Sequence, residues 1–136
     1  IEGLSVNYAT GETNTVGTEQ DHNTMKMSYA YGSFTFAASN SESLYDNAAS
    51  IDEEINAWKV SYTVSDDLSI SYASETVETE AQAVDEEANA VSASYTTGGV
   101  TLSATSYEFS GQGNSNTESA STGDFSRWAL SASFAF

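Results

Sequence analysis

Large apolar residues alternate with small residues along most of this chain. In the segment RWALSASFAF, every second residue from Trp128 onward is Trp, Leu, Ala, Phe or Phe, and the residues between them are mostly Ser and Ala. Successive side chains of a β-strand lie on opposite faces, so a period of two is the period of a strand. The pattern predicts a strand with one apolar face and one small, polar face.

The same alternation recurs about seven more times, and no helical stripe competes with it. Segments such as GLSVNYAT, MKMSYAY and SFTFAAS repeat it clearly. The predicted fold class is therefore all-β, as an antiparallel up-and-down sheet of about eight strands forming one segment over residues 1–136. The strands are expected near residues 2–10, 25–31, 33–40, 55–65, 68–76, 89–97, 100–109 and 127–136.

Short and long connections alternate between these strands. Tight turns are predicted at Gly32, at Asp66 and Asp67, and at Gly98 and Gly99, because Gly and Asp adopt the dihedral angles that a chain reversal needs. Long polar outer loops are predicted at residues 11–24, 41–54, 77–88 and 110–126. A meander with tight turns at one rim and long loops at the other is typical of an outer-membrane β-barrel.

Either a second protein sheet or lipid could cover the apolar face. A soluble β-sandwich would pack it on another sheet, but the solvent-facing side of a sandwich normally carries many charges. Here the opposite face is chiefly Ser, Ala and Thr. This favours a transmembrane β-barrel whose apolar face contacts lipid, with an aromatic girdle near the strand ends. The girdle is expected to consist of Tyr31, Phe34, Trp58, Tyr62, Tyr72, Tyr95, Trp128, Phe134 and Phe136.

The charge balance excludes several classes of function. The chain has 136 residues, three basic against twenty acidic residues and a net charge of −17, so nucleic acid is not an expected partner. It has no Cys, which excludes disulfides and thiolate metal sites, and no apolar run long enough for a transmembrane helix. The single His22 is predicted in a loop and no base is identifiable beside a Ser, so no enzyme activity is expected.

All three basic residues fall on the small polar face. Lys26, Lys59 and Arg127 are therefore predicted to line a pore, with Glu75 at its mouth. Lys or Arg facing the bilayer midplane would cost about 2–4 kcal/mol, which supports this assignment of the faces. Two interpretations of the cations stay open: they attract anionic solutes, or they only avoid lipid and neutralise carboxylates elsewhere in the protein.

Most acidic residues are predicted in the long loops, densest in SIDEEI and ETVETEAQAVDEEAN. Such a rim is expected to be solvated and self-repelling, and it would concentrate cations at a pore mouth. No cofactor is expected. Loosely bound Ca²⁺ at the acidic loops is the one candidate, because Ca²⁺ takes several carboxylate oxygens, although the spacing of an EF-hand loop is absent.

These segments resemble a known family. ALSASFAF resembles the closing strand of Gram-negative outer-membrane porins, and MKMSYAYGSFTFAAS and AVSASYTTGGVTLSATSY are similar to the hairpins of alphaproteobacterial, Rhodobacter-type porins. The resemblance implies a sixteen-stranded barrel in the outer membrane, in contact with its lipid, that lets small hydrophilic solutes and ions diffuse passively. It also implies a homotrimer, and recognition of Phe136 by the barrel-assembly machinery. The family's inward-folded constriction loop has no counterpart that we identify.

Side-chain size bears on how much of a barrel is present. The interior of an eight-stranded barrel must be filled by side chains, which Ser, Ala and Thr are too small to do. We therefore expect about half of a sixteen-stranded porin, its C-terminal portion. Three alternatives stay open: several copies that share one barrel, a complete small barrel, and an acidic secreted or cell-surface β-domain with an adhesive or structural role.

One irregularity interrupts the alternation after Ala104. Tyr107 and Phe109 fall on the polar side of the pattern. A β-bulge near Ser106 would return them to the apolar face, whereas an earlier end of the strand would leave both in the loop.

Overall fold

Eight antiparallel strands follow one another in a single sheet, in the order in which they occur along the chain. The computed structural model describes residues 1–15, 18–46, 51–80, 82, 84–111 and 123–134. The strands are β1 (Leu4–Thr15), β2 (Thr18–Tyr31), β3 (Phe34–Tyr45), β4 (Glu53–Ser65), β5 (Leu68–Thr79), β6 (Glu86–Thr97), β7 (Val100–Ser110) and β8 (Phe125–Phe134). Each strand pairs only with its neighbours in sequence, so the all-β, up-and-down architecture is confirmed.

The tight turns lie where the sequence predicts them. Gly32 joins β2 to β3 with a φ of 56°, and Gly98 opens the β6–β7 turn with the same φ. A side chain at either position would be strained, because L-residues rarely adopt positive φ. The β4–β5 turn contains Asp66 and Asp67 and follows a register shift between Thr63 and Ser65, so Val64 is the extra residue of a β-bulge.

The strands extend well beyond the predicted boundaries at the other end of the sheet. β1 and β2 stay paired as far as Thr15 and Thr18, so most of the predicted loop 11–24 is strand. The predicted loops 41–54, 77–88 and 110–126 are likewise shortened by the ends of the flanking strands. Backbone pairing continues there although both faces are polar, because ladder hydrogen bonds do not require an apolar side chain. The strand ends were therefore predicted too early, at the point where the alternation of apolar and small residues stops.

The described residues form one open layer. β1 and β8 do not contact each other, so these eight strands do not close into a barrel by themselves. No described residue is buried, and no second sheet covers either face within the described part of the chain. A β-sandwich is therefore not formed by these residues. The outer edges of β1 and β8 and both faces of the sheet are left for other contacts.

The tight turns are staggered across the sheet. Residues paired directly across neighbouring strands form rows, and the row through Phe34 continues to Tyr62, Ile70 and Ala93. β5 begins two residues beyond this row at Leu68, whose own partner Tyr95 lies two residues before the end of β6. Successive tight turns are two strands apart, and each extends about two residues further beyond the rows than the previous one. With a rise of about 3.3 Å per residue and strands about 4.8 Å apart, the line of turns is inclined by roughly 35° to the rows.

Gly111, directly after β7, is expected to be intolerant of any side chain. Its φ is 67°, and a Cβ there would collide with the backbone carbonyl oxygen of Asp85. Gly111→Ala should therefore lower the free energy of unfolding by about 1–3 kcal/mol, measured by denaturant titration.

The matched control is Gly11→Ala in β1. A Cβ at Gly11 meets no atom within 4 Å, and its φ is not positive. Because Ala is favoured over Gly in a strand interior, this variant should gain about 0.5–1 kcal/mol. Equal effects of the two substitutions would contradict the strained backbone at Gly111.

Candidate functional site

The cross-strand register sorts the side chains into two faces. We call the side with Trp58, Tyr72 and Trp128 the apolar face, and the side with Lys59 and Arg127 the polar face. All described residues of the predicted girdle lie on the apolar face, and Phe136 lies outside the described residues. These residues are Tyr31, Phe34, Trp58, Tyr62, Tyr72, Tyr95, Trp128 and Phe134.

Each strand contributes two to four large residues to an apolar band on that face, at the end nearer the tight turns. The band is open to its surroundings: Trp128 is 77% exposed, Tyr31 74% and Leu130 69%. A water-exposed patch of this size is unusual for a soluble monomer and marks a surface that something apolar covers.

Aromatic side chains mark the border of the band on the side of the long connections. Tyr8, Trp58, Tyr72 and Trp128 are the last band residues there in β1, β4, β5 and β8. The Tyr8 hydroxyl donates to Asn23 Oδ1 at 3.1 Å, and the Tyr72 hydroxyl donates to Asn89 Oδ1 at 2.8 Å. Each ring thus packs in the band while its hydroxyl reaches the polar zone, which is the arrangement that an apolar–water interface favours.

A second set of aromatics lies at the border nearer the turns. Tyr31, Phe34, Tyr62, Tyr95 and Phe134 are the residues of this set. Phe34 and Tyr62 are direct cross-strand partners, and their ring centroids lie 4.5 Å apart. The band is therefore aromatic at both borders and largely aliphatic between them.

The border of the band is staggered in the same direction as the turns. The row that starts at Tyr8 in β1 reaches β7 at Ser110, whereas the first band residue of β7 is Ala104, six residues nearer the turns. The border therefore moves about one residue per strand from β1 to β7. In β8 the last band residue is Trp128, which pairs with Ser106. The border there lies two residues further from the turns than it does in β7.

On the polar face, all three cations and Glu75 lie in two adjacent rows. One row contains Lys26 and Glu75, and the next contains Lys59 and Arg127. Glu75 thus lies within β5, four residues before its end, and not at the strand end that the sequence suggests. Alanines separate the charges along both rows, at positions 37, 57, 73, 88 and 90. The four predicted pore-lining residues therefore share one level of the wall.

Hydroxyl groups line the polar face between this level and the turns. Ser92 pairs with Thr105 at 3.1 Å, Ser94 with Ser103 at 3.3 Å, and Thr96 with Thr101 at 2.9 Å. This part of the polar face carries hydroxyl groups and no charge. On the other side of the charged rows, His22 Nδ1 lies 3.1 Å from Ser43 Oγ, and His22 belongs to β2 and not to the predicted loop.

Tyr107, Phe109 and Phe125 form a group of aromatic rings on the polar face, and sequence reasoning missed this group. β7 runs without a register shift to Ser110, so neither the expected bulge nor an early strand end occurs, and Tyr107 and Phe109 stay on the polar face. Their ring centroids lie 6.0 Å apart, and the centroids of Phe109 and Phe125 lie 4.5 Å apart. Arg127 Cζ lies 5.2 Å from the centroid of the Tyr107 ring. The signal that could have revealed this was that Tyr107 and Phe109 keep the period of two on the polar side of the strand.

Carboxylates collect on the apolar face just beyond the band. We call them the acidic belt: Glu12, Glu19, Asp21, Glu42, Glu54, Glu78, Glu87 and Glu108. Glu54 lies directly opposite both Glu42 and Glu78. Asn40 and Asn56 each donate an amide hydrogen to Glu54 Oε1, at 2.6 and 2.9 Å. All of these acids belong to strands, although all except Glu108 were predicted in the long loops.

Within the described residues, no helix is long and apolar enough to cross a membrane. The same residues contain no group of three or more His, Cys, Asp or Glu that could hold a metal ion. Comparison with protein-family models, curated proteins and solved structures found no match.

Repulsion in the acidic belt should be measurable at Glu78. Like charges placed directly opposite each other destabilise a sheet, and Glu78 faces Glu54. Glu78→Gln should raise the free energy of unfolding by about 0.2–1 kcal/mol at low ionic strength, measured by denaturant titration. The gain should vanish in about 1 M NaCl, where the Debye length is about 3 Å.

Glu75→Gln is the control for this measurement. Glu75 lies on the polar face, diagonal to Lys59 on the neighbouring strand, so removal of its charge should not stabilise the protein. A stabilisation by Glu78→Gln that persists unchanged in high salt would argue against charge repulsion.

Proposed function

We propose that this chain forms part of the wall of a water-filled outer-membrane β-barrel, a porin, through which small hydrophilic solutes and ions diffuse. The observation that carries the proposal is the common stagger of the tight turns and of the apolar band. Both advance by about one residue per strand in the same direction. Strands that cross a membrane at a tilt would have both their tight turns and their apolar border on lines parallel to the membrane plane. Such lines are inclined to the rows of paired residues.

The size of the stagger matches barrel geometry. An inclination of roughly 35° falls at the lower end of the 35–45° strand tilt of membrane barrels. A sheet packed on another protein layer has no reason to keep its apolar border and its turns on one straight, inclined line. The open sheet would then be a sector of a barrel that further strands complete.

The height and chemistry of the band are those of a lipid contact. In β2 the band runs from Met25 to Tyr31, seven residues that rise roughly 20 Å along the strand. The tilt of the strands reduces this height, whereas the aromatic rings at both borders add to it. The resulting height is close to that of the apolar band of outer-membrane barrels, which is about 25 Å. Aromatic girdles at the two interfaces and an aliphatic middle are typical of such a surface.

The opposite face suits a wall beside water. Its Ser, Thr and Ala side chains are too small to fill a narrow barrel, so a wide lumen with about sixteen strands is the better fit. Lys26, Lys59, Glu75 and Arg127 would then contact permeating ions at one level. A homotrimer, and recognition of Phe136 by the assembly machinery, belong to the proposal through the porin resemblance alone.

The first experiment tests which face meets lipid. Trp58 and Trp128 are the only tryptophans of the chain, and both lie on the apolar face. In vesicles of brominated phosphatidylcholine their fluorescence should be strongly quenched, because bromine on the acyl chains quenches only nearby indoles. Aqueous iodide should quench them weakly.

The control moves the only indole to the polar face. The triple variant Trp58→Phe, Trp128→Phe, Tyr107→Trp should show the reverse pattern, with strong quenching by iodide and weak quenching by brominated lipid. Equal quenching in both proteins, or a protein that stays soluble without detergent and does not enter vesicles, would sink the porin proposal. The second outcome would favour the acidic cell-surface β-domain.

The second experiment tests the pore itself in planar bilayers, with the intact protein. Lys26→Gln, Lys59→Gln and Arg127→Gln each remove one positive charge from the wall, so each should raise the permeability ratio of K⁺ over Cl⁻, read from the reversal potential. Ser103→Gln, on the same face but uncharged, should leave the ratio unchanged. Stable channels whose ratio ignores all three charges would contradict their position in the lumen.

A further inference from the structure

Four side chains at the β7–β8 end of the polar face form a cluster that passive diffusion does not require. We call Tyr107, Phe109, Phe125 and Arg127 the aromatic–arginine cluster. Tyr107 pairs directly with Arg127, and Phe109 pairs directly with Phe125. The three rings are close to parallel, with interplanar angles of 17° and 18°. The cluster is therefore a compact block of two adjacent cross-strand pairs.

The rings lie open on the face that otherwise carries small polar groups. Phe125 is 51% exposed, and Tyr107 and Phe109 are partly exposed. The neighbouring positions on β6 are Ala88 and Ala90, which are too short to cover the rings. Stacking of a flat apolar group on an exposed aromatic face removes apolar surface from water, which is favourable in free energy.

The positive charge of Arg127 beside the rings favours an anionic ligand. Arg127 contacts the Tyr107 ring through its guanidinium group, which keeps N–H donors that can bind a carboxylate in a bidentate manner. The strand carboxylates nearest on this face, Glu75 and Glu86, belong to β5 and β6 and lie roughly 10 Å or more from β8. The Asp124 carboxylate accepts a hydrogen bond from the Gly111 backbone N–H at 3.1 Å.

The spacing matches one class of solute. Phe125 and Arg127 are two residues apart on β8, a distance of roughly 6.6 Å along the strand. An aromatic monocarboxylate can place its ring against Phe125 and its carboxylate against Arg127 over that span. We propose that the aromatic–arginine cluster is a binding subsite for aromatic monocarboxylates. This inference rests on the proposed function, because it makes the subsite part of the wall of the pore.

The test compares two carboxylates of equal charge and similar size in planar bilayers. Benzoate has a flat aromatic ring, whereas cyclohexanecarboxylate has a puckered saturated one. With the intact protein, the permeability of benzoate relative to Cl⁻ should exceed that of cyclohexanecarboxylate by about 2- to 10-fold, the ratio expected from aromatic stacking.

The variants separate the ring contribution from the charge contribution. Phe109→Leu together with Phe125→Leu keeps apolar side chains in the strands and should bring the benzoate preference close to one. Arg127→Gln should weaken passage of both carboxylates while their ratio persists. Ser103→Gln, an uncharged substitution on the same face outside the cluster, should leave the ratio unchanged.

The possible failures are distinguishable. Open channels that pass the two carboxylates equally, or whose benzoate preference survives the double Leu substitution, would overturn the subsite and leave the porin proposal intact. Absence of any conductance would overturn the porin proposal and the subsite together. A benzoate preference that disappears only in the double Leu variant would support both.

Discussion

The backbone register of a single, unbacked sheet is the constraint on which the rest of this protein depends. Side chains alternate between the faces with a period of two, so a shift of one residue would exchange the two faces completely. No described residue is buried within the sheet, and an ordered chain must bury apolar surface to offset its lost conformational entropy. The stability of this sheet therefore depends on what covers the apolar band.

The same constraint explains the inclined band. Because each tight turn is displaced by about two residues from the previous one, the strands cannot end on a line perpendicular to their axes. The apolar band follows the turns, with Tyr8 and Ala104 six residues apart in register. Local turn chemistry thus sets the tilt, and the side chains are distributed to agree with it.

The polar face concentrates its chemistry at one level. Hydroxyl pairs such as Ser94 and Ser103 are neutral, whereas Lys59 and Arg127 lie in a single row and Lys26 and Glu75 in the next. These four charges and the open rings of Tyr107, Phe109 and Phe125 therefore lie at one level of the polar face. In the acidic belt on the other face, carboxylates such as Glu42 and Glu54 face each other directly, at a local cost in stability.

The number of strands, the tight turns and the two faces could be predicted from the sequence, because alternation and turn residues act over a few neighbouring positions. The faces of Trp58, Lys59 and Trp128 could be predicted in this way. The three-dimensional structure was needed to show that the strands continue past Tyr8 and Ala104 into polar segments, that the sheet stays open, and that residues far apart in the chain share two rows. Each row is the sum of successive backbone pairings between neighbouring strands, and no local pattern encodes that sum.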